Sequence, residues 1–86
     1  MKVLILEDEF HAANRLKRLL ESNIEHLEIL DTLDSVEEAK AFFENDNFLD
    51  LIFADIQLAD GLSFSVFQDL DIQVPVIFTT AFANIR

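Results

Sequence analysis

Two short apolar runs in this 86-residue chain end abruptly in acid. Val3-Leu4-Ile5-Leu6 runs into Glu7-Asp8-Glu9, and Leu51-Ile52-Phe53-Ala54 runs into Asp55. A third run, Val76-Ile77-Phe78, ends in Thr79-Thr80. Carboxylates held close together raise each other's pKa and oppose folding. A hard divalent cation relieves that repulsion. Mg²⁺ takes oxygen ligands in an octahedron, commonly one or two carboxylates, with waters and phosphate oxygens completing the shell. An Asp carboxylate can also attack phosphorus and become an aspartyl phosphate, to which the Thr80 hydroxyl could donate a hydrogen bond. Helix capping is the competing reading. An acid after a strand often serves only as the N-cap of the next helix, and Asp8 and Asp60 are candidates. Spacing alone leaves both readings open.

For the acids to meet, the apolar runs must be neighbouring parallel strands. Val3–Leu6 and Leu51–Ala54 are continuously apolar, as strands buried on both faces are. Between them, Phe10, Ala13, Leu16, Leu19 and Leu20 recur at helical spacing, with Arg15, Lys17, Arg18 and Glu21 interspersed. Leu27–Leu30 reads as a second strand. Ser35 followed by Glu38 is a capping-box pattern, and Val36, Ala39, Phe42 and Phe43 continue as a second helix. Residues 62–70 predict a third helix, and Pro75 opens the fourth strand, Val76–Phe78. Alternation of this kind predicts an α/β domain with a doubly wound parallel sheet, in the strand order 2-1-3-4. The functional crevice of such a sheet lies at the carboxyl ends of the strands where their order reverses. That is where Glu7, Asp8 and Asp55 fall.

Composition narrows the partners. Lys and Arg total 6 against 17 Asp and Glu, a net charge of -11, which argues against direct binding to nucleic acid or to an anionic membrane surface. There is no cysteine, so neither disulfides nor thiolate metal sites arise. The apolar start is too short for a signal peptide, and no run approaches the ~18 apolar residues of a membrane span. A soluble cytoplasmic protein is expected. The single glycine, Gly61, leaves no glycine-rich phosphate loop. His11 and His26 read as ordinary surface histidines, and Ser63 and Ser65 have no base nearby. The nine Phe residues read as core, Phe82 excepted. Arg15, Lys17 and Arg18 read as a solvated helix face, or as a docking patch.

Three motifs in order resemble the receiver domains of two-component response regulators. Val3–Glu9 resembles their first strand and acidic pair. Residues 51–61, Leu-Ile-Phe-Ala-Asp-Ile-Gln-Leu-Ala-Asp-Gly, resemble their phosphorylation strand and its loop. Residues 74–81, Val-Pro-Val-Ile-Phe-Thr-Thr-Ala, resemble their fourth strand and switch threonine. The texture is most similar to receivers of LytTR-type transcription regulators, which carry a separate DNA-binding domain. The resemblance implies a flavodoxin-like fold and phosphorelay signalling rather than an enzyme. It implies that Asp55 accepts a phosphoryl group from a sensor histidine kinase. Asp8 and Asp55 would ligate Mg²⁺, Glu7 would hold it mainly through water, and Gln57 would offer its backbone carbonyl. Thr80 would be the switch hydroxyl, with Ala81 leaving room beside the phosphoryl group. Glu7 stands where Asp is commoner, and Ala59 where Pro is frequent. Gln57 also replaces the second Asp of the aspartyl-phosphate hydrolases, which weakens an enzyme reading.

A complete receiver has a further helix, strand and helix, and its fifth strand carries a lysine that pairs with the phosphoryl group. The expectation is therefore a receiver domain fragment over residues 1–86, truncated after the fourth strand; Lys2, Lys17 and Lys40 lie on early elements and do not substitute. An apolar fourth strand at the sheet edge invites pairing with another chain, so self-association as a homodimer is expected, through that strand or through an exchanged element. The alternative function is a receiver-like dimerisation or interaction module that is not phosphorylated.

Overall fold

The computed structural model describes residues 1–45 and 48–79. Its elements are β1 (Lys2–Leu6), α1 (Phe10–Asn23), β2 (Glu28–Leu33), α2 (Val36–Phe43), β3 (Leu51–Asp55), β4 (Gln57–Leu58), β5 (Gly61–Leu62), α3 (Phe64–Leu70) and β6 (Val76–Thr79). Four of the strands form a parallel sheet in the order β2-β1-β3-β6. This is the predicted 2-1-3-4 order of a doubly wound α/β sheet.

The central strands are apolar on both faces because both faces are covered. Leu4, Leu6, Ile52 and Ala54 join Leu33, Ala39 and Val66 in one core, against which Phe42, Phe43 and Phe67 pack from the α2 and α3 side. Val3 and Ile5 point the other way, into a smaller core with Leu20, Leu16 and Ile24 of the α1 side. Val3, Leu4, Ile5, Leu6, Ile52 and Ala54 are all fully buried. Each of the Val, Leu and Ile side chains among them contributes on the order of 1.5–3 kcal/mol on burial.

The start of β1 is tied at the far edge of the sheet. The Lys2 amide donates to Asp50 Oδ2 at 2.7 Å, and the Asp50 amide donates to the Lys2 carbonyl at 2.8 Å. At the other end, the Glu7 amide donates to the Leu33 carbonyl at 2.9 Å. The last ladder bond between β1 and β2 therefore lies at the first acid.

The structure departs from the sequence expectations in four places. The second strand is Glu28–Leu33, not Leu27–Leu30: it is an edge strand, needs no second apolar face, and so runs on through Asp31 and Thr32. Its register with β1 shifts between Val3 and Leu4, a bulge of the kind edge strands tolerate. The third helix begins at Phe64 rather than residue 62, because Gly61–Leu62 pairs antiparallel with Gln57–Leu58. The first helix runs on to Asn23, and its periodic Phe10 and Leu19 are exposed at 71% and 60%. Nor are the phenylalanines uniformly core, since Phe48, Phe64 and Phe78 are exposed along with Phe10. Phe64 and Phe67 gather around Phe78 instead, with ring centroids 4.9 and 6.0 Å away.

Candidate functional site

The register of β1 on β3 sets the site. Leu6 lies opposite Ala54, so the next residue of each chain, Glu7 and Asp55, emerges side by side at the carboxyl ends of the two central strands. Asp8 follows on the turn into α1. Carboxylate oxygens of Glu7, Asp8 and Asp55 all lie within 4.8 Å of one another. Two of these acids are half-buried and Asp8 is exposed. On the other side of β3, Asp55 lies opposite Thr79 of β6. Thr80, together with Ala81 and Phe82, falls outside the described residues.

The electrostatics match the crowding. Burial is the main cause that pushes the Glu7 carboxyl above its ordinary value, and the charges of Asp55 and Asp8 and a hydrogen bond with Asp55 act the same way. A backbone bond opposes the rise: the Glu9 amide donates to Glu7 Oε2 at 3.1 Å. That bond turns one oxygen of Glu7 toward the chain.

The capping alternative resolves differently for each acid. Neither Asp8 nor Asp60 caps the helix that follows it. The N-cap of α1 is Glu9, whose carboxylate accepts from the Ala12 amide at 2.8 Å and the His11 amide at 3.1 Å. These bonds hold the Glu9 carboxyl below its usual value. Asp60 reaches back to the preceding helix, where it accepts from the Val36 amide at 2.6 Å and the Glu37 amide at 3.1 Å. Helix α2 thus has two caps, because Ser35 Oγ also accepts from the Glu38 amide at 3.0 Å. The Glu38 carboxylate returns to the Asp34 amide at 3.2 Å, one residue earlier than a standard capping box.

Gln57 lies in β4, two residues beyond Asp55, at one strand of the small hairpin. Behind it, Ser63 is fully buried. Its backbone amide and its hydroxyl both donate to the Ile56 carbonyl, at 2.9 and 3.2 Å. The sequence reads Ser63 only as a poor nucleophile and gives no sign of this bracing role beyond a serine two residues after the single glycine, Gly61. Lys40 pairs with Asp69 at 2.8 Å between α2 and α3, away from the acids. Lys17 lines the cleft beside Glu7 and Asp8, which Phe10, Asn14 and Glu38 also border. No helix among the described residues is long and apolar enough to cross a membrane.

A central parallel sheet whose first and third strands end in clustered carboxylates defines a class of domain, and comparison with known proteins names it. The chain is 35% identical over 85 residues to the sensory transduction protein LytT of Bacillus anthracis, covering 95% of this chain and 34% of that protein. It is 36% identical to the sensory transduction protein LytR of Streptococcus agalactiae, covering 98% of this chain and 35% of the relative. Among solved structures, the PhyR response regulator REC domain of Erythrobacter litoralis superposes with a TM-score of 0.76 at 32% identity, over 94% of this chain and 63% of that one. No family model matches the chain. In sequence and in fold the chain is similar to the receiver domains of response regulators. It spans about a third of the length of the curated relatives it matches.

Proposed function

We propose that this domain accepts a phosphoryl group on the Asp55 carboxylate, from the phosphohistidine of a sensor kinase, with Mg²⁺ held at the acid cluster. The observation that carries the reading is the meeting of Glu7, Asp8 and Asp55 within 4.8 Å at adjacent strand ends. In the step itself, an Asp55 carboxylate oxygen forms a bond to phosphorus while the phosphorus–nitrogen bond of the donor breaks. The imidazole leaves with the electron pair and takes up a proton. Mg²⁺ would screen the charge on the phosphoryl oxygens.

The donor set suits that ion. It is all oxygen, and a Mg²⁺ octahedron places opposite ligands about 4.2 Å apart, twice the ~2.1 Å bond length. A carboxylate spread of up to 4.8 Å is compatible with Asp8 and Asp55 as direct ligands and Glu7 acting through water, its second oxygen being engaged by the Glu9 amide. The Gln57 backbone carbonyl would complete the protein's share. Thr80 would donate its hydroxyl to the phosphoryl group once formed. Phosphorylation would then shift the domain between two conformations that differ in how well they bind an output partner. A cytoplasmic location goes with this reading. The domain would bind neither nucleic acid nor membrane directly and would not turn over substrate as an enzyme.

Incubation with acetyl phosphate tests the proposal. Intact mass should rise by one phosphoryl group only when Mg²⁺ is present, and Asp55→Asn should show no rise. A folded wild-type protein that gains no mass would defeat it.

One observation favours a second reading, a homodimerising interaction module. Among the described residues β6 pairs only with β3, and Ile77 and Phe78 on it are 47% and 38% exposed. Light scattering across a concentration series distinguishes the two: a dimer indifferent to acetyl phosphate supports this second reading.

A further inference from the structure

Helix α2 is capped by a residue from another part of the chain. The first amides of any helix lack intrahelical partners. In α2, Ser35 supplies the local cap, and Asp60 takes the Val36 and Glu37 amides from 23 or 24 residues downstream. Asp60 stands at the tip of the β4–β5 hairpin, which pairs Gln57 with Leu62 and Leu58 with Gly61. A second bond holds the same tip: the Ala59 amide donates to the Asp34 carbonyl at 3.2 Å. The base of the hairpin is braced by Ser63 on the Ile56 carbonyl. The segment that leaves Asp55 and carries Gln57 is therefore fastened at both ends, and its outer fastening is on α2.

We infer that Asp60 is a positioning residue, whose bridge to the α2 N-terminus sets the placement of the Gln57 backbone beside the acid cluster. The inference rests on the proposed metal site and names a residue outside it. Asp60 touches neither ion nor phosphoryl group. It acts through the hairpin, so loss of its carboxylate weakens Mg²⁺ binding while Glu7, Asp8 and Asp55 remain in place. Outer residues that orient metal ligands are commonly worth 10-fold or more in affinity.

The test compares Asp60→Ala with Ser35→Ala. Both remove a cap from α2, but only the first releases the hairpin. Isothermal titration with MgCl₂ should show affinity about tenfold weaker for Asp60→Ala and unchanged for Ser35→Ala. Asp60→Asn, which keeps one acceptor oxygen, should fall between. Phosphorylation by acetyl phosphate should slow at low Mg²⁺ and recover at saturating Mg²⁺. Equal effects of the Asp60→Ala and Ser35→Ala substitutions on Mg²⁺ affinity would reduce Asp60 to an ordinary cap and overturn the inference. If the wild-type protein binds no Mg²⁺, the metal-site reading fails first, and hydrogen exchange at the Ala59 and Ser63 amides decides this one. Faster exchange in Asp60→Ala alone supports the clamp, and equal exchange in both variants overturns it.

Discussion

Asp55→Asn should stabilise the metal-free protein. Asp55 shares the site with two other carboxylates, each within 4.8 Å. At that distance two unit charges repel by about 0.9 kcal/mol in water and about 3.5 kcal/mol at an effective dielectric of 20. Asp8 is exposed and Glu7 only half-buried, which favours the lower figure. Glu7 also carries its charge reluctantly, being pushed toward the neutral form chiefly by burial. Removing both Asp55 pairs should then be worth roughly 1–2 kcal/mol at low salt. In a domain this small, 1 kcal/mol moves Tm by about 4–8 °C, so a rise between about 4 and 15 °C is expected. Thermal unfolding followed by circular dichroism, in EDTA at low ionic strength, measures it. Salt at ~1 M shortens the screening length to about 3 Å and should shrink the gain. Mg²⁺ at about 100 times its Kd should add about 2.7 kcal/mol to the wild type and much less to the variant. A variant that melts at or below the wild type without Mg²⁺ would refute the claim that these charges repel across the site.

The raised Glu7 carboxyl gives the Mg²⁺ effect a pH dependence. A carboxyl whose folded pKa lies above the unfolded value stabilises the fold when protonated; that contribution is complete below the ordinary 4.5 and is lost as pH rises through the folded value. Protons and metal compete for the same oxygens, so the Tm gain from Mg²⁺ should be large near pH 7 and fade toward pH 4.5, and a pH-independent gain would contradict it. Ile52→Ala removes a fully buried side chain from the larger core and should cost about 2–5 kcal/mol in urea unfolding; a cost under ~1 kcal/mol would mean the core there relaxes freely. Gly61→Ala probes backbone strain. Its φ is +152° and an added Cβ would meet Val36 Cγ2 at an ordinary 3.7 Å, so the cost is conformational, on the order of 1–3 kcal/mol, and urea unfolding with no change would count against it.

Much of the site was legible because long-range geometry follows from simple rules. Strands apolar on both faces must be central, and right-handed crossovers then place the first beside the third, so Glu7, Asp8 and Asp55 could be brought together on paper. What escaped notice was short or local. Strands of two residues, Gln57–Leu58 and Gly61–Leu62, have no periodicity to detect, and Leu62 was absorbed into the helix that follows. Asp31 and Thr32 looked like the end of a strand because their polarity is read without knowing that β2 is an edge. Phe10 and Leu19 fit the helical stripe by type, yet α1 buries only Ala13 and Leu20 deeply. Sequence proximity offers Asp60 as a cap for α3, whereas in space it caps α2.

Because β1 is apolar on both faces, its side-chain alternation says little about its register: a slipped strand would still offer hydrophobic residues to both cores. What pins it is polar and lies at its start, where Lys2 and Asp50 exchange two hydrogen bonds. That lock sits about 16 Å from the acids, five residues at ~3.3 Å each. The mutual alignment of Glu7 and Asp55 is thus inherited from the opposite rim of the sheet. Loss of the Asp50 carboxylate would remove one of these two bonds and loosen the alignment of Glu7 with Asp55 from that rim, much as a zip slips at the top when its first tooth is wrong.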